Sequence, residues 1–298
     1  MMIMLEIMLV AIMVAMSSAL LGNFLVLRGS VMVSDAITHT VLLGIVLAFF
    51  VVPDLNSPFL IIGATIVGII AVVAIEALYN TGLLAHDSAT GIVFPLFFSL
   101  AIILLTRYAG DIHLDVDTVL TGELGYTIFE RVSINGVDLG PTSLWRNLFT
   151  FIVNGLFISV FYKQLKITTF DPEYARSMGI SPTIFYYALM SLVSLTAVNA
   201  YDSVGAILVV GFMVGPALSA YLLSNDLKKM IGLSLVFAIF NSVVGVFLAF
   251  AIDTNIAGMI AVITGITAFL VFLFSPQKGL LRRFFNKNKT EDSISNDA

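Results

Sequence analysis

The sequence contains no cysteine and few charged residues. Of its 298 residues only 11% are Asp, Glu, Lys or Arg, whereas 59% are hydrophobic. Without thiols the chain can form no disulfide bond, and any metal ion that it binds must be held by oxygen and nitrogen atoms. Soluble globular proteins carry about 25% charged residues, so this chain cannot cover a water-facing surface of its size. Together with a mean hydropathy of +1.05, the composition predicts an integral membrane protein.

Several motifs are also missing, and each absence argues against a class of function. The sequence has no G-x-x-x-x-G-K-[ST] loop, so it lacks the common phosphate-binding motif for ATP. It has no H-E-x-x-H pair, which disfavours a metalloprotease. Its apolar segments lack the many carboxylates that a proton-driven carrier is expected to hold. No basic surface for nucleic acid is indicated, because the net charge is -5.

The apolar residues fall into long segments, and a helix needs about 17 to 25 such residues to cross a bilayer. We predict nine spans, or eight or ten if residues 112–134 are partly embedded. The nine are residues 2–27, 31–52, 59–79, 89–106, 145–163, 183–201, 203–223, 230–252 and 256–274. The sequence therefore predicts an all-α helical bundle in one transmembrane domain over residues 1–276, followed by a basic and polar cytoplasmic tail over residues 277–298.

The distribution of Lys and Arg predicts the orientation of the chain, because basic residues near span ends are retained in the cytoplasm. With nine spans, three basic residues fall on one side, namely Arg107, Arg131 and Arg146. The other side receives Arg28, Lys163, Lys166, Arg176, Lys228, Lys229, Lys278, Arg282, Arg283, Lys287 and Lys289. We therefore expect the amino terminus outside the cell and the carboxyl terminus inside.

Asp35 and His39 lie within the second predicted span, where ionisable residues are costly. A carboxylate at the centre of a spanning helix costs roughly 2.5 to 3.5 kcal/mol, so it normally faces a bundle interior or an aqueous path. A spacing of four residues places both side chains on one helical face. One carboxylate oxygen and one imidazole nitrogen can then bind the same divalent metal ion.

Asp35 and His39 can also be accounted for without a metal ion. If the helix begins at Ser34, Asp35 is a first-turn acid stabilised by the helix dipole, whereas a start after Ser30 places it one turn further inside. His39 could instead bond a neighbouring helix. Two ligands also do not complete a site, so other spans or a second copy of the chain must supply the rest. Asn199 and Asp202 are candidates, although Asp202 suits a helix cap better.

The connection between the fifth and sixth spans carries signals for a short helix. Asp171 suits the N-cap, Pro172 the first helical position and Gly179 the C-cap, while Glu173 complements the helix dipole. Such a helix on the cytoplasmic side could dock into a groove of a partner protein. It could equally be a simple connector.

The long segment between the fourth and fifth spans is acidic at its start. Asp111, His113, Asp115 and Asp117 alternate with apolar residues, so an extended chain would present them on one side. They could attract cations to the outer mouth of a pathway. The alternative is a solvated acidic loop without ligands.

Several motifs in chain order resemble those of the permease subunits of bacterial ABC transporters for manganese, zinc and iron uptake. The motif RGSVMVSDAITHTVLLGIVLAFF, from Arg28 onwards, resembles the second-span signature of that family. The other matching motifs are HDSATGIVFPLFF (His86–Phe98), HLDVDTVLTGELG (His113–Gly125), FDPEYARSMGI (Phe170–Ile180), VGAILVVGFMVGPALSAYLL (Val204–Leu223) and LFSP (Leu273–Pro276). Together they cover nearly the whole chain.

The resemblance implies a fold, partners and roles for particular residues. The fold is that of a type II ABC importer, and the chain is a non-enzymatic transport subunit in a bacterial plasma membrane. The partners are a second copy of the chain, two cytoplasmic ATPase subunits and an extracytoplasmic metal-binding protein. No permanent cofactor is implied, and the transported ion is manganese, zinc or iron(II), with manganese favoured. The implied site residues are Asp35 and His39 for the metal, Asp171, Pro172, Glu173, Tyr174, Ala175, Arg176 and Gly179 for the coupling helix, and Leu120, Gly122 and Gly125 for the outer gate.

A different class of function is also compatible with the sequence. A self-contained secondary carrier or channel for divalent cations could use Asp35 and His39 without any nucleotide. Metal flux through the isolated chain without ATP would distinguish this alternative from the ABC permease.

Overall fold

The computed structural model describes residues 2–53, 57–108, 124–134, 137–276 and 278–280. A short 3-10 helix (Leu124–Ile128) and two strands, β1 (Arg131–Ile134) and β2 (Val137–Pro141), lie between the fourth and fifth α-helices. The α-helices are α1 (Met2–Arg28), α2 (Val31–Val51), α3 (Pro58–Tyr79), α4 (His86–Tyr108), α5 (Thr142–Val160), α6 (Tyr162–Phe170), α7 (Pro172–Ser177), α8 (Pro182–Leu223), α9 (Leu227–Ile252) and α10 (Ile256–Phe274).

Within these described residues, eight helices are long and apolar enough to cross a membrane, namely all except α6 and α7. The predicted helical membrane protein is therefore confirmed. The predicted count of nine spans is approximate, because two predicted spans, 183–201 and 203–223, fall within the single 42-residue helix α8.

Helix α8 is divided at Gly205, whose backbone is not helical (φ 74°, ψ 166°). Both ends of α8 lie beside the end of α1: the Tyr186 ring is 6.0 Å from the Arg28 guanidinium, and Tyr221 borders a cavity together with Leu27. An unbroken helix of this length would extend about 63 Å, so its ends could not meet there. The arms 182–204 and 206–223 therefore run antiparallel, and counting them separately gives nine segments.

Helix α1 runs through the core and packs against both arms of α8 and against α5 and α9. Close approach depends on small residues: a Cβ atom added at Gly22 would lie 1.8 Å from the Met213 carbonyl oxygen. Buried amides also join the helices. Asn154 of α5 donates to the Thr196 hydroxyl (2.9 Å), and Asn23 of α1 donates to the Ser234 hydroxyl of α9 (2.7 Å).

We call the side of the bundle where α1 ends the basic face. There Leu27, Phe170, Tyr221, Asp226 and Lys278 border one cavity, which brings together the ends of α1, α6 and α8 and the start of α9. The side chain of Asp226 accepts hydrogen bonds from the first amides of α9. These amide donors lower the pKa of the Asp226 carboxyl.

The antiparallel strands β1 and β2 form a hairpin on the opposite side, where α1 begins. These strands, which the sequence did not predict, are an addition to the helical bundle. Arg131 of β1 bonds Glu6 of α1 at 3.0 Å and Asp138 of β2 at 2.5 Å, which ties the hairpin to the bundle. The Gly140 amide and Arg131 both donate to Asp138 and hold its pKa below the usual range.

Candidate metal site

Helix α2 begins at Val31, directly after Ser30, so Asp35 lies beyond its first turn. The interpretation of Asp35 as a first-turn acid therefore does not apply. The intervening residues of α2, from Ala36 to Thr38, are buried in the protomer. The side chains of Asp35 and His39 are 38% and 21% exposed, so they share the helical face that the protomer leaves partly open.

The two side chains approach each other as the spacing predicts. The distance between His39 Nε2 and Asp35 Oδ1 is 3.5 Å. Two ligand atoms that each lie about 2.1 Å from a tetrahedrally coordinated zinc ion are about 3.4 Å apart. One ion could therefore bind both atoms with little rearrangement of the side chains.

Two phenylalanines of α4 pack against the His39 imidazole. Its ring centroid lies 4.8 Å from that of Phe94 and 5.7 Å from that of Phe98, and the Phe98 ring meets it edge-on. These contacts restrict the orientation of the imidazole on one side. The position of His39 therefore depends on the position of α4.

The pair does not form a complete site within one protomer. Among the described residues, no group of three or more His, Cys, Asp or Glu side chains could hold a metal ion together. The other candidates make contacts of their own: Asn199 donates to the Thr150 hydroxyl (3.0 Å), and Asp202 accepts from Arg146 (2.6 Å). Asp202 lies inside α8 before the break at Gly205, so it does not cap a helix.

The sequence matches a known protein family over most of its length. Residues 1–275 match the model of the ABC 3 transport family. The chain belongs to this family. The family consists of non-enzymatic membrane subunits of ABC transporters, so the predicted permease subunit is confirmed.

Named relatives and solved structures resemble this permease over most of its length. It is 45% identical to the zinc transport system membrane protein TroD of Treponema pallidum, over 93% of this chain and 76% of TroD. It is 38% identical to the manganese transport system membrane protein MntD of Bacillus subtilis, over 91% and 92% of the two chains. A solved structure of PsaBC from Streptococcus pneumoniae in complex with Fab aligns with a TM-score of 0.76 and 30% identity, covering 93% of each chain.

The short helix expected at residues 171–179 of the permease is present as α7. Asp171 Oδ1 accepts a hydrogen bond from the Tyr174 amide (2.9 Å), Pro172 occupies the first turn, and Gly179 follows the helix with a φ of 77°. Ala175 is buried against the bundle, while Glu173, Tyr174 and Arg176 are exposed. The helix thus presents a polar and aromatic surface at the basic face, and its coupling role stays a prediction.

The predicted outer elements of the permease are mostly not described. Asp111, His113, Asp115, Asp117, Leu120 and Gly122 lie outside the described residues. Gly125 belongs to the 3-10 helix, in which Leu124 is buried in the core that contains α1. The gate and the anionic mouth therefore remain predictions.

Sequence reasoning missed one pair of ionisable residues in the permease. His86, the first residue of α4, lies with its Nε2 atom 3.2 Å from Glu76 Oε1 at the end of α3. Both side chains are less than a quarter exposed. The signal was available, because Glu76 is a carboxylate within an apolar span, and such residues are rare without a function.

Proposed function

We propose that this chain is the membrane subunit of an ATP-driven importer that moves a divalent metal ion along a path between two copies of the chain. The observation that carries the proposal is the pair of Asp35 and His39, whose donor atoms lie 3.5 Å apart on a partly open face of α2. Relatives of this chain are named as zinc and manganese transport proteins. A metal ion accounts for the carboxylate and the imidazole within an apolar helix.

A second copy of the chain would complete the site. Most homodimers are two-fold symmetric, and a symmetric pair presents the same residues from both sides. Two copies of Asp35 and His39 would supply four donor groups, which is the number that zinc usually takes from ligands. In such a dimer, the exposed edges of Asp35 and His39 in one copy could face the same two residues of the other copy.

The donor types fit several metals. Mixed carboxylate and imidazole ligands suit manganese, iron(II) and zinc. We favour manganese, with zinc and iron(II) as the alternatives. A transport site must also release its ion, so a small number of protein ligands is an advantage.

The basic face is proposed to lie in the cytoplasm, following the distribution of Lys and Arg. Helix α7 then faces the cytoplasm, where a separate ATPase subunit can bind it. The amino terminus and the hairpin lie on the outer side, where an extracytoplasmic metal-binding protein would deliver the ion. The ATPase must be separate because the sequence has no phosphate-binding loop of the common type.

Reconstitution into liposomes tests this function. The chain, co-purified with the ATPase encoded for the same transport system and supplied with metal-loaded binding protein, is expected to import radioactive manganese or zinc only when ATP is present. Equal metal flux through the chain alone, without ATPase or nucleotide, would instead establish the carrier or channel.

Changing the exposed surface of α7 is expected to weaken ATPase binding. Tyr174→Ala and Glu173→Lys should each reduce the affinity of the permease for the ATPase at least about tenfold, because buried aromatic anchors often dominate interfaces. Binding is measured with the purified subunits in detergent. Lys229→Gln, which alters an exposed residue on the same face but outside α7, is the control. Normal ATPase binding by both α7 variants would show that α7 is only a connector.

A further inference from the structure

Helices α5 and α9 leave a groove between them at the basic face. Ile158 lies in the last turn of α5, Tyr162 begins α6, and Lys228 lies in the first turn of α9. These three residues line a cavity of about 370 Å³ together with Ser159 and Ile231. Ser159 and Lys228 are exposed, so the cavity is open to the surroundings. The groove therefore lies where two membrane-crossing helices reach the bilayer surface.

The side of the bundle that carries this groove is suited to face lipid. Asp35 and His39 lie on α2, which packs against α3, α4 and α8, whereas α5 and α9 flank α1. The path proposed along α2 therefore leaves α5 and α9 on another side of the bundle. Helix α5 has a row of exposed apolar residues at spacings of three and four, namely Phe149, Ile152, Leu156 and Val160. Such residues form one stripe along a helix, against which acyl chains can pack.

The rim of the groove carries an unpaired positive charge. Lys228 Nζ lies 5.7 Å from the centroid of the Tyr162 ring. Among the described residues, no carboxylate forms an ion pair with this ammonium group. The nearby Asp226 instead accepts from the backbone amides of Lys228 (2.8 Å) and Lys229 (3.3 Å), and it borders the other cavity of the basic face. The Lys228 ammonium is therefore available to an anion.

The floor and the rim of the groove suit different parts of one ligand. Ile158 and Ile231 offer apolar surface, while the Lys228 ammonium and the Tyr162 hydroxyl can both donate hydrogen bonds to a phosphate. Further exposed lysines adjoin these two donors along the chain, namely Lys163, Lys166 and Lys229. Basic pockets between membrane helices on the cytoplasmic side are known binding sites for the head groups of anionic lipids. An anionic phospholipid matches both parts of the groove.

We propose that this groove binds one anionic phospholipid, with its phosphate at Lys228 and Tyr162 and its acyl chains along Ile158 and the apolar row of α5. The lipid comes from the cytoplasmic leaflet, given the proposed orientation of the basic face. This site goes beyond the proposed function and does not depend on the transported metal. Because α6 leads from Tyr162 to α7, a bound lipid would hold the start of the segment that carries α7.

Lipid titration of the purified full-length chain tests the site. Phosphatidylglycerol and phosphatidylcholine with identical acyl chains are added to the protein in a neutral detergent, and native mass spectrometry counts the lipids bound to each protomer. We expect one phosphatidylglycerol per protomer. It should bind at least about tenfold more tightly than phosphatidylcholine, whose positive choline group weakens the attraction of its phosphate to the lysine, because hydrogen bonds between charged groups contribute that much.

Two substitutions place the lipid in the groove. Lys228→Gln removes the charged donor and should lower the affinity for phosphatidylglycerol at least about tenfold. Ser159→Trp should also lower the affinity, because its side chain fills the cavity, and the Ser159 hydroxyl that it replaces donates only to the Gly155 carbonyl of the same helix. Both variants should keep the thermal midpoint of the parent in lipid-free detergent.

Lys229→Gln is the matched control for charge. It removes the same charge from the next residue, which is exposed and does not line the groove. The affinity for phosphatidylglycerol should change less than about twofold, because exposed charges contribute little. Equal losses in Lys228→Gln and Lys229→Gln would overturn the site, since the effect would then belong to the general surface charge.

Three other results would also overturn the proposal. Equal affinity for the two lipids would show that the groove does not select an anion. Displacement of phosphatidylglycerol by inorganic phosphate would indicate a site for free anions. Displacement by the purified ATPase subunit would indicate a protein interface. These measurements need neither metal nor ATP hydrolysis, so their outcome is independent of the transport assay that tests the proposed function.

Discussion

Replacing Asp35 with alanine is expected to lower ATP-driven metal uptake at least about 100-fold. Loss of a residue that only supports a metal ligand typically costs 10- to 100-fold, and Asp35 is proposed to be a ligand itself. His39→Ala should have a similar effect, because either loss leaves each protomer with one donor. Uptake of radioactive manganese and zinc by proteoliposomes that contain the complete complex measures both variants.

The loss of uptake should not come from unfolding. An ionised aspartate costs roughly 2.5 to 3.5 kcal/mol at the centre of a spanning helix and less towards its ends. Asp35 is the fifth residue of α2, so the cost there is smaller but still unfavourable, and alanine at this position should leave the thermal stability unchanged or raise it. Ser34→Ala is the matched control: Ser34 is the preceding residue, is buried, and donates only to the Val31 carbonyl of its own helix. Normal uptake by both Asp35→Ala and His39→Ala would remove the site assignment.

The features that the sequence predicted well depend on residues close together in the chain. Asp35 and His39 meet because a four-residue spacing on a helix fixes their relative position. The short helix α7 forms because Asp171 accepts from the Tyr174 amide and Gly179 adopts a positive φ, both of which follow from local residue types. Their functional roles stay predictions, because a role depends on partners outside the chain.

Contacts between distant residues could not be predicted in the same way. The contact of Phe94 with His39 and the contact of Tyr186 with Arg28 depend on which helices become neighbours, and hydrophobic periodicity does not specify this when most faces are apolar. The hairpin is a different case. The dipeptide Asn135-Gly136 is a strong hairpin signal, but the search for long apolar spans does not test for strands.

The sequence correctly predicted two segments within α8, but it placed the boundary between them a few residues too early. The predicted boundary lies at residue 202, where an aspartate suggests a helix cap. The structure keeps Asp202 helical, pairs it with Arg146, and turns at Gly205 instead. The chain can turn at Gly205 because the backbone angles there, φ 74° and ψ 166°, lie in a region that is essentially restricted to glycine.

A side chain at Gly205 is therefore expected to destabilise the fold strongly. Gly205→Val should cost roughly 3 kcal/mol, the upper end for a residue held in such a region. The neighbours Val204 and Ala206 are buried in the protomer, so the turn has little room to relax. For a chain of 298 residues, with an unfolding entropy of about 2.1 cal/mol/K per residue, the thermal midpoint in detergent should fall by roughly 5 °C. Thermal unfolding of the purified protein measures the change.

The comparison with a second glycine isolates the cause. Gly232 lies in the regular helix α9, and a Cβ atom there would meet nothing within 4 Å. Gly232→Ala should be neutral or stabilising by about 0.5 to 1 kcal/mol, because alanine favours helix. Gly205→Ala should instead destabilise, although both substitutions add one methyl group. If Gly205→Ala matched Gly232→Ala, the arms of α8 would not depend on a glycine turn, and the antiparallel arrangement at Gly205 would be wrong.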